Sequence, residues 1–409
     1  MYLRGLIHRD RLFDVATRWF SDRLDPGDGR FVTQVFVFES LILAPTAIGI
    51  VREIGRILDP GPYCLERLRS KDKVRQLIEK ACLEPGPRMA ELFKRYRRNP
   101  EEFFPRTPVD MIAATRTTGE IVGMMRVKQV RRIAEKASRR VADKLASEIR
   151  QTARLLAEGR ARASGVSLSG LVSSPGVMAH EFFESERAIS LAFKEGEIVF
   201  QRSDLRVDDV IAIKFVGSRE KLEQVERAVF SHPGAVVAER EVHTGDYNDV
   251  NLLVDMDLPP VGEIVDRMRG FDWSFAASRG LDPSSCRKDF EDYVESGART
   301  FRIEIILTTL EELVESEFGV STHEERVLSQ RHEASYSGRI AQNASSIIHY
   351  LILLALSPVT EIEEIPIKMW GRYLEDTISL SIDDLFGVEQ GSSMFTLFAK
   401  HPLEIPGMM

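Results

Sequence analysis

Apolar and polar residues alternate with different periods along this chain, and the period sorts it into regions. Over 61–98 and 108–163, apolar positions recur every three or four residues between long charged stretches, as in TGEIVGMMRVKQVRRIAEKASRRVADKLASEIRQTARLLAEGRARA, which predicts helices. DPGP at Asp59–Pro62, EPGP at Glu84–Pro87 and Asn99-Pro100 punctuate them. From Ala163 the texture turns to small and β-branched residues, ASGVSLSGLVSSPG, which suit a strand and a tight turn and place a domain boundary there. Beyond it strands and helices alternate. Val207–Val216 (VDDVIAIKFV), Asn251–Met256 and Thr300–Leu307 read as strands, and Ser218–Phe230 as an amphipathic helix opened by a serine cap. Residues 262–298 read as a mostly polar, partly helical insertion, and 335–409 return to helix.

These elements predict an α+β protein in three parts: a mainly helical N-terminal domain over 1–163, a mixed-sheet domain over 164–334 and a mainly helical segment over 335–409. Its 409 residues, 43% hydrophobic and 29% charged, are enough for two or three such units. Phe31–Val51 is the most apolar long segment, but Gln34, Glu39 and Pro45 interrupt it and argue against a lipid-facing helix; Ile347–Leu356 is too short to span. No membrane association is therefore expected. Cys64, Cys82 and Cys286 have no metal-ribbon or disulfide spacing, and the charged start lacks a signal-peptide core; both point to the cytoplasm.

Charge divides the chain unevenly. Residues 1–165 hold 33 Lys and Arg against 21 Asp and Glu, whereas the remainder holds 22 against 42. The basic residues are interleaved with acids at helical spacing and are not clustered with aromatics, so a protein partner or oligomer contact, or solvated helix faces, fit better than nucleic acid.

Common catalytic fingerprints are absent from the sequence: no phosphate loop, no dinucleotide glycine pattern, no nucleophile elbow, and no H-E-x-x-H, because Val327 and Tyr336 stand at the fourth positions after His323-Glu324 and His332-Glu333. What remains are two acids on apolar strands, Asp209 opening DVIAIKFV and Glu304 opening EIILTT. Hard oxygen ligands and a base at strand ends are what Mg²⁺-dependent phosphoryl or nucleotidyl transfer requires. Capping and edge protection are the commoner uses of such acids.

The order of motifs over roughly 140–330 resembles the synthetase domain of the Rel/Spo family of guanosine tetraphosphate enzymes. A long helix to Ala163 is followed by Ser169-Gly170-Leu171-Val172-Ser173-Ser174-Pro175, then by Asp209-Val210-Ile211-Ala212-Ile213-Lys214. Next come Asp246-Tyr247-Asn248-Asp249-Val250-Asn251-Leu252-Leu253, Glu304-Ile305-Ile306-Leu307-Thr308-Thr309, and Glu317-Phe318-Gly319-Val320-Ser321-Thr322-His323. The resemblance implies a nucleotidyltransferase-like fold in which Asp209 and Glu304 serve magnesium and activate an acceptor hydroxyl. It places Lys214, Ser173, Ser174 and Tyr247 as nucleotide-binding residues and gives His323 a structural position.

The same comparison implies a degenerate ATP site. The family's phosphate-neutralising Arg and Lys fall on Leu171 and Ser173, its next Arg on Lys214, its guanine-stacking Tyr on Asp249 with Tyr247 nearby, a histidine on Leu253, and a further Arg on Thr308. Lys214 keeps the charge but not bidentate phosphate recognition. Removing one electrostatic contact of this kind commonly costs about 10²–10³ in rate. The expectation is a non-catalytic, nucleotide-binding or regulatory pseudoenzyme that needs no cofactor, unless Arg150, Arg154 or Arg160 reaches over the cleft. The alternative is a divergent Mg²⁺-dependent nucleotidyl- or pyrophosphotransferase using Asp209 and Glu304. His8-Arg9-Asp10 is not the adjacent His-Asp pair of the hydrolase domain that long family members carry.

Overall fold

The computed structural model describes residues 1–58, 60–245, 248–319, 324, 325, 328 and 338–388. In chain order the elements are β1 (Tyr2–Leu3), α1 (Arg9–Phe20), α2 (Asp28–Leu58), β2 (Tyr63–Ser70), α3 (Lys71–Ala81), α4 (Pro87–Arg98), β3 (Pro108–Arg116), β4 (Ile121–Val127) and α5 (Val130–Ala163). They continue with α6 (Pro175–Glu195), β5 (Arg206–Val207), β6 (Ile211–Val216), α7 (Arg219–Ser231), β7 (Ala235–His243), β8 (Asp249–Asp257), α8 (Val261–Arg267), α9 (Pro283–Ser296), β9 (Thr300–Thr308), α10 (Leu310–Phe318), α11 (Arg339–Leu353) and α12 (Glu375–Asp384).

Seven strands form one sheet in the order β2-β3-β4-β6-β9-β8-β7. Only the central pair β6/β9 is parallel; every other neighbour is antiparallel. The expected α+β class with a mixed sheet is the observed one. Strand β9 shows why it forms: Phe301, Ile303, Ile305 and Leu307 alternate inward with exposures of 0–3%, while Glu304 and Ile306 face the other way and are only half-buried. The inward set joins Ile211, Ile213 and Phe215 of β6 and Leu252, Val254 and Met256 of β8 in a core shared with α1, α2, α5, α7, α9 and α11. On the opposite face a smaller apolar cluster, including Val74, Ile78, Phe93, Phe103 and Phe318, packs α3, α4 and α10 over Met111, Ala113, Met124 and Val216.

Three expectations require correction. Residues 63–70, 108–116 and 121–127, read as helix, are strands. Arg116 and Glu120 close a hairpin whose turn uses Gly119 at φ +93°, and the apolar run Ile121–Met125 is internal to the sheet and buried on both faces. An internal strand carries no period of its own, so its run is easily absorbed into the helix that follows it. Because the sheet draws β2, β3 and β4 from before residue 163 and four strands from after it, that residue does not divide a helical domain from the sheet. The stretch 262–298 likewise contributes Trp273, Phe290 and Tyr293 to the main core, around Phe38.

Helix α2 is long and apolar enough by length and composition to cross a membrane, and half of its most apolar window is buried inside the fold. Its Glu39 lies there fully enclosed, accepting hydrogen bonds from the Ile7 and His8 amides at 2.7 and 3.2 Å and from the Tyr293 hydroxyl at 2.9 Å. The three cysteines are unpaired thiols.

Candidate functional site: a polar group on the half-buried sheet face

Four adjacent central strands each place a polar side chain on the half-buried face. The register aligns Arg126 of β4 with Ala212 of β6, Ala212 with Glu304 of β9, and Glu304 with Leu253 of β8. One pleat further, Met124, Lys214, Ile306 and Asn251 are in line. Side chains in register share a face, so Arg126, Lys214, Glu304 and Asn251 converge on one surface.

Within this group Asn251 Nδ2 donates to Glu304 Oε1 at 2.9 Å, and Arg126 Nη2 stands 3.8 Å from Glu304 Oε2, an ion pair without a hydrogen bond. Glu304 fixes which way the Asn251 amide points, and leaves Asn251 Oδ1 buried without a partner. The Lys214 ammonium has no hydrogen bond or ion pair among the described residues. Burial pulls its pKa below the usual lysine value, and the carboxylates of Glu317 and Asp249 only partly offset that.

Neighbouring charges, by contrast, have counter-ions. Lys71 Nζ binds Glu317 at 2.8 and 2.9 Å and lies 2.9 Å from Glu324. Arg75 meets Glu324 at 3.2 Å and donates to the Glu317 carbonyl at 2.8 Å. All four side chains are less than a tenth exposed, so a buried, charge-neutral set locks α3 to Glu317 of α10 and to Glu324 beyond it. Burial would raise the Glu317 carboxyl, but Lys71 and Arg75 outweigh it and bring it to about 2. Asp249 takes a 2.6 Å hydrogen bond from His243, whose pKa is raised by that carboxylate against the opposing effect of burial. Among the described residues Lys214 is left with no ion pair of its own, only the more distant pull of Glu317 and Asp249.

The residues expected to act together are dispersed. Glu304 and Lys214 share the half-buried face, which α3, α4 and α10 partly cover. Asp209 lies just before β6, three positions ahead of Ala212, the register partner of Glu304, which separates the two backbones by roughly 10 Å along the strand. Its Oδ2 is held by Lys128, and by Lys136 of α5 at 2.7 Å. Burial alone would raise its pKa; the two ammoniums reverse the direction and hold it well below the carboxylate range, while burial brings Lys128 down to about 8. The two acids therefore have separate cation partners. Among the described residues there is no cluster of three metal-ligating side chains, and this pair does not fit a shared magnesium ion.

Ser173 and Ser174 are also elsewhere. Ser174 caps α6 by accepting from the Val177 amide, and Ser173 Oγ accepts from Arg160 at 2.8 Å. Arg160 is twenty-four residues along α5 from Lys136, so the serine turn is roughly 36 Å from the Asp209 clamp at 1.5 Å per residue. Arg160 is occupied with Glu181 and Arg154 with Glu158, so neither reaches over the sheet. Tyr247 and His323 lie outside the described residues.

Sequence reasoning missed Arg126 and Asn251, as well as the lysines that hold Asp209. Arg126 was hidden inside a segment read as helix. Asn251 had a signal: it stands one residue before Leu252, out of phase with the apolar alternation Leu252, Val254 and Met256, and so on the opposite face of the strand.

No protein-family model matches the chain, and no curated protein matches it. Among solved structures it is similar to the small alarmone synthetase 1 from Bacillus subtilis, with 12% identity over 40% of this chain and 68% of that one, at a TM-score of 0.18. A TM-score of this size carries no argument about the site, which rests on its own geometry.

Proposed function

We propose that this protein is a nucleotide-binding module that holds phosphate on the half-buried sheet face with Lys214 and Arg126, and does not catalyse transfer. The observation that carries the reading is the Lys214 ammonium, half-buried on the sheet with no hydrogen bond or ion pair among the described residues, while Glu317 and Asp249, the carboxylates that act on it, are already engaged by Lys71 and His243. A desolvated, unpaired cation is unfavourable in the free protein, and an anion that binds it relieves that cost. Arg126, only loosely tied to Glu304, adds a planar donor fork one strand away. Asn251 and Glu304 offer acceptors to a ligand that also carries N–H or O–H groups. The collinear resemblance to Rel/Spo synthetase domains makes guanosine nucleotides the first ligands to test.

The reading of a degenerate donor site draws support from the position of Ser173, at the far end of α5. A divergent magnesium-dependent transferase would need Asp209 and Glu304 to share a metal, and their separate partners weigh against it. The test is the melting temperature of the protein with GDP, GTP or ATP in the presence of a chelator. A ligand at a hundred times its Kd stabilises by about 2.7 kcal/mol. The expected result is an upward shift that Lys214→Ala and Arg126→Ala each remove; no shift with any nucleotide overturns the reading.

A further inference from the structure

Helix α2 packs on β4 and β6 and leaves the outer strands β2 and β3 partly uncovered on that side; Leu65 of β2 is 41% exposed. The last turns of α2 bury Ile54 and Leu58 in the main core. Ile48, Arg52 and Arg56 form a second stripe at four-residue spacing, and this stripe borders a cavity of about 290 Å³ between helix and strands. The register sets Leu65 opposite Ala114, and Ile112 opposite Met125 of β4, so these four apolar side chains form one floor. Tyr63 also lines the space and is tied to α2 by its hydroxyl, which donates to the Gly55 carbonyl. A dry apolar cavity of about 150 Å³ takes up one benzene ring, so this one suits an apolar body of roughly twelve carbon atoms.

Charge at the cavity has one sign. Arg52 and Arg56 are exposed, stand one helical turn apart and make no hydrogen bond or ion pair among the described residues. No acid is among the described residues that line the cavity. Asp110, on the same face of β3, is already held by Arg67 Nε and Nη2 at 2.7 and 2.6 Å. Like charges four residues apart on a helix repel. Arg56, in the last turn of α2, is favoured by the helix C-terminus, but Arg52 lies a turn too early for that.

We infer that this cavity binds an amphiphile whose apolar chain lies against Leu65, Ile112 and Met125 and whose oxyanion, a carboxylate or a phosphate, is held by Arg52 and Arg56. The site is independent of the nucleotide reading, because Met125 faces the other side of the sheet from Met124, the register neighbour of Lys214. Calorimetric titration of the full chain with decanoate, decyl phosphate and decanol tests it. At least one of the two anions should bind saturably, about tenfold or more tighter than decanol and than to the double variant Arg52→Gln/Arg56→Gln, while Lys214→Met binds it as the parent does. The anion bound more tightly tells a carboxylate ligand from a phosphate one. Both arginines are exposed, so the double variant should keep the parent's circular dichroism; if it does not, Leu65→Glu, which puts a negative charge at the cavity, replaces it with the same expected loss. No saturable binding of either anion, decanol bound as tightly, binding that persists in the variant, or binding lost in Lys214→Met overturns the proposal.

Discussion

Replacing Lys214 with methionine separates what this residue does for stability from what it does for binding. The ammonium is held in the sheet without a partner among the described residues, and its register neighbours are Met124 on one side and Ile306 on the other. Lys214→Met keeps the length of the stem and adds a thioether among apolar neighbours. Exchanging buried charges for well-packed apolar groups is worth about 1–4 kcal/mol. Because the Lys214 side chain is only half-buried by area, the gain should fall at the lower end, about 1–2 kcal/mol, read as a higher urea midpoint with unchanged slope. The pH dependence has a definite sign. Burial lowers the folded-state pKa below 10.5, so between the two values the unfolded chain binds the extra proton and stability rises with pH. The advantage of Lys214→Met over the parent should thus be full at neutral pH and shrink as pH climbs toward that of a free lysine. A variant less stable than the parent at neutral pH would refute the reasoning, because it would mean that Lys214 has a counter-ion in the folded state.

Three further outcomes follow from the same geometry. Glu304→Gln removes a negative charge beside the phosphate position and frees Arg126, so nucleotide affinity measured by calorimetry should rise about fivefold, for roughly 1 kcal/mol; a catalytic carboxylate would instead show unchanged binding and lost turnover. Asp209→Ala leaves Lys128 and Lys136 facing each other and should cost about 2–3 kcal/mol of unfolding free energy while sparing nucleotide binding. Burial raises the Glu39 carboxyl to about 7, with hydrogen bonds from Tyr293, His8 and Ile7 opposing it. The folded chain therefore holds a proton that the unfolded chain loses above 4.5, and stability from this group falls as pH rises through that window. Relative to Glu39→Gln, the parent should lose about 2–3 kcal/mol between about pH 5 and pH 8 in equilibrium unfolding.

Strands β8 and β9, whose side chains alternate between the core and the half-buried face, were legible in the sequence, as were β6, an apolar run bounded by Asp209 and Gly217, and the helix after it. Glu304 and Lys214 were legible for the same reason, since each is a polar residue breaking an apolar strand. Strands β2, β3 and β4 were not. Ile121–Met125 is buried on both faces, and Pro108–Arg116 takes its conformation from its partners on either side, so neither carries a local signature. With them went Arg126 and the fact that the N-terminal third completes the sheet. Motif order suggested that Ser173 and Asp209 belong to one site. The length of α5, which motif order does not measure, keeps them apart. The counter-ions of Asp209 are likewise invisible in the sequence, because Lys128 and Lys136 approach from a strand end and a helix seventy or more residues earlier.

Titration calorimetry of GDP into the parent and into Lys214→Met, both in a chelator, asks most directly whether the unpaired lysine is a phosphate ligand. The account predicts saturable binding by the parent without added metal, and loss of that binding in a variant that is folded and at least as stable. Equal binding by the two proteins, or none by the parent, would contradict it.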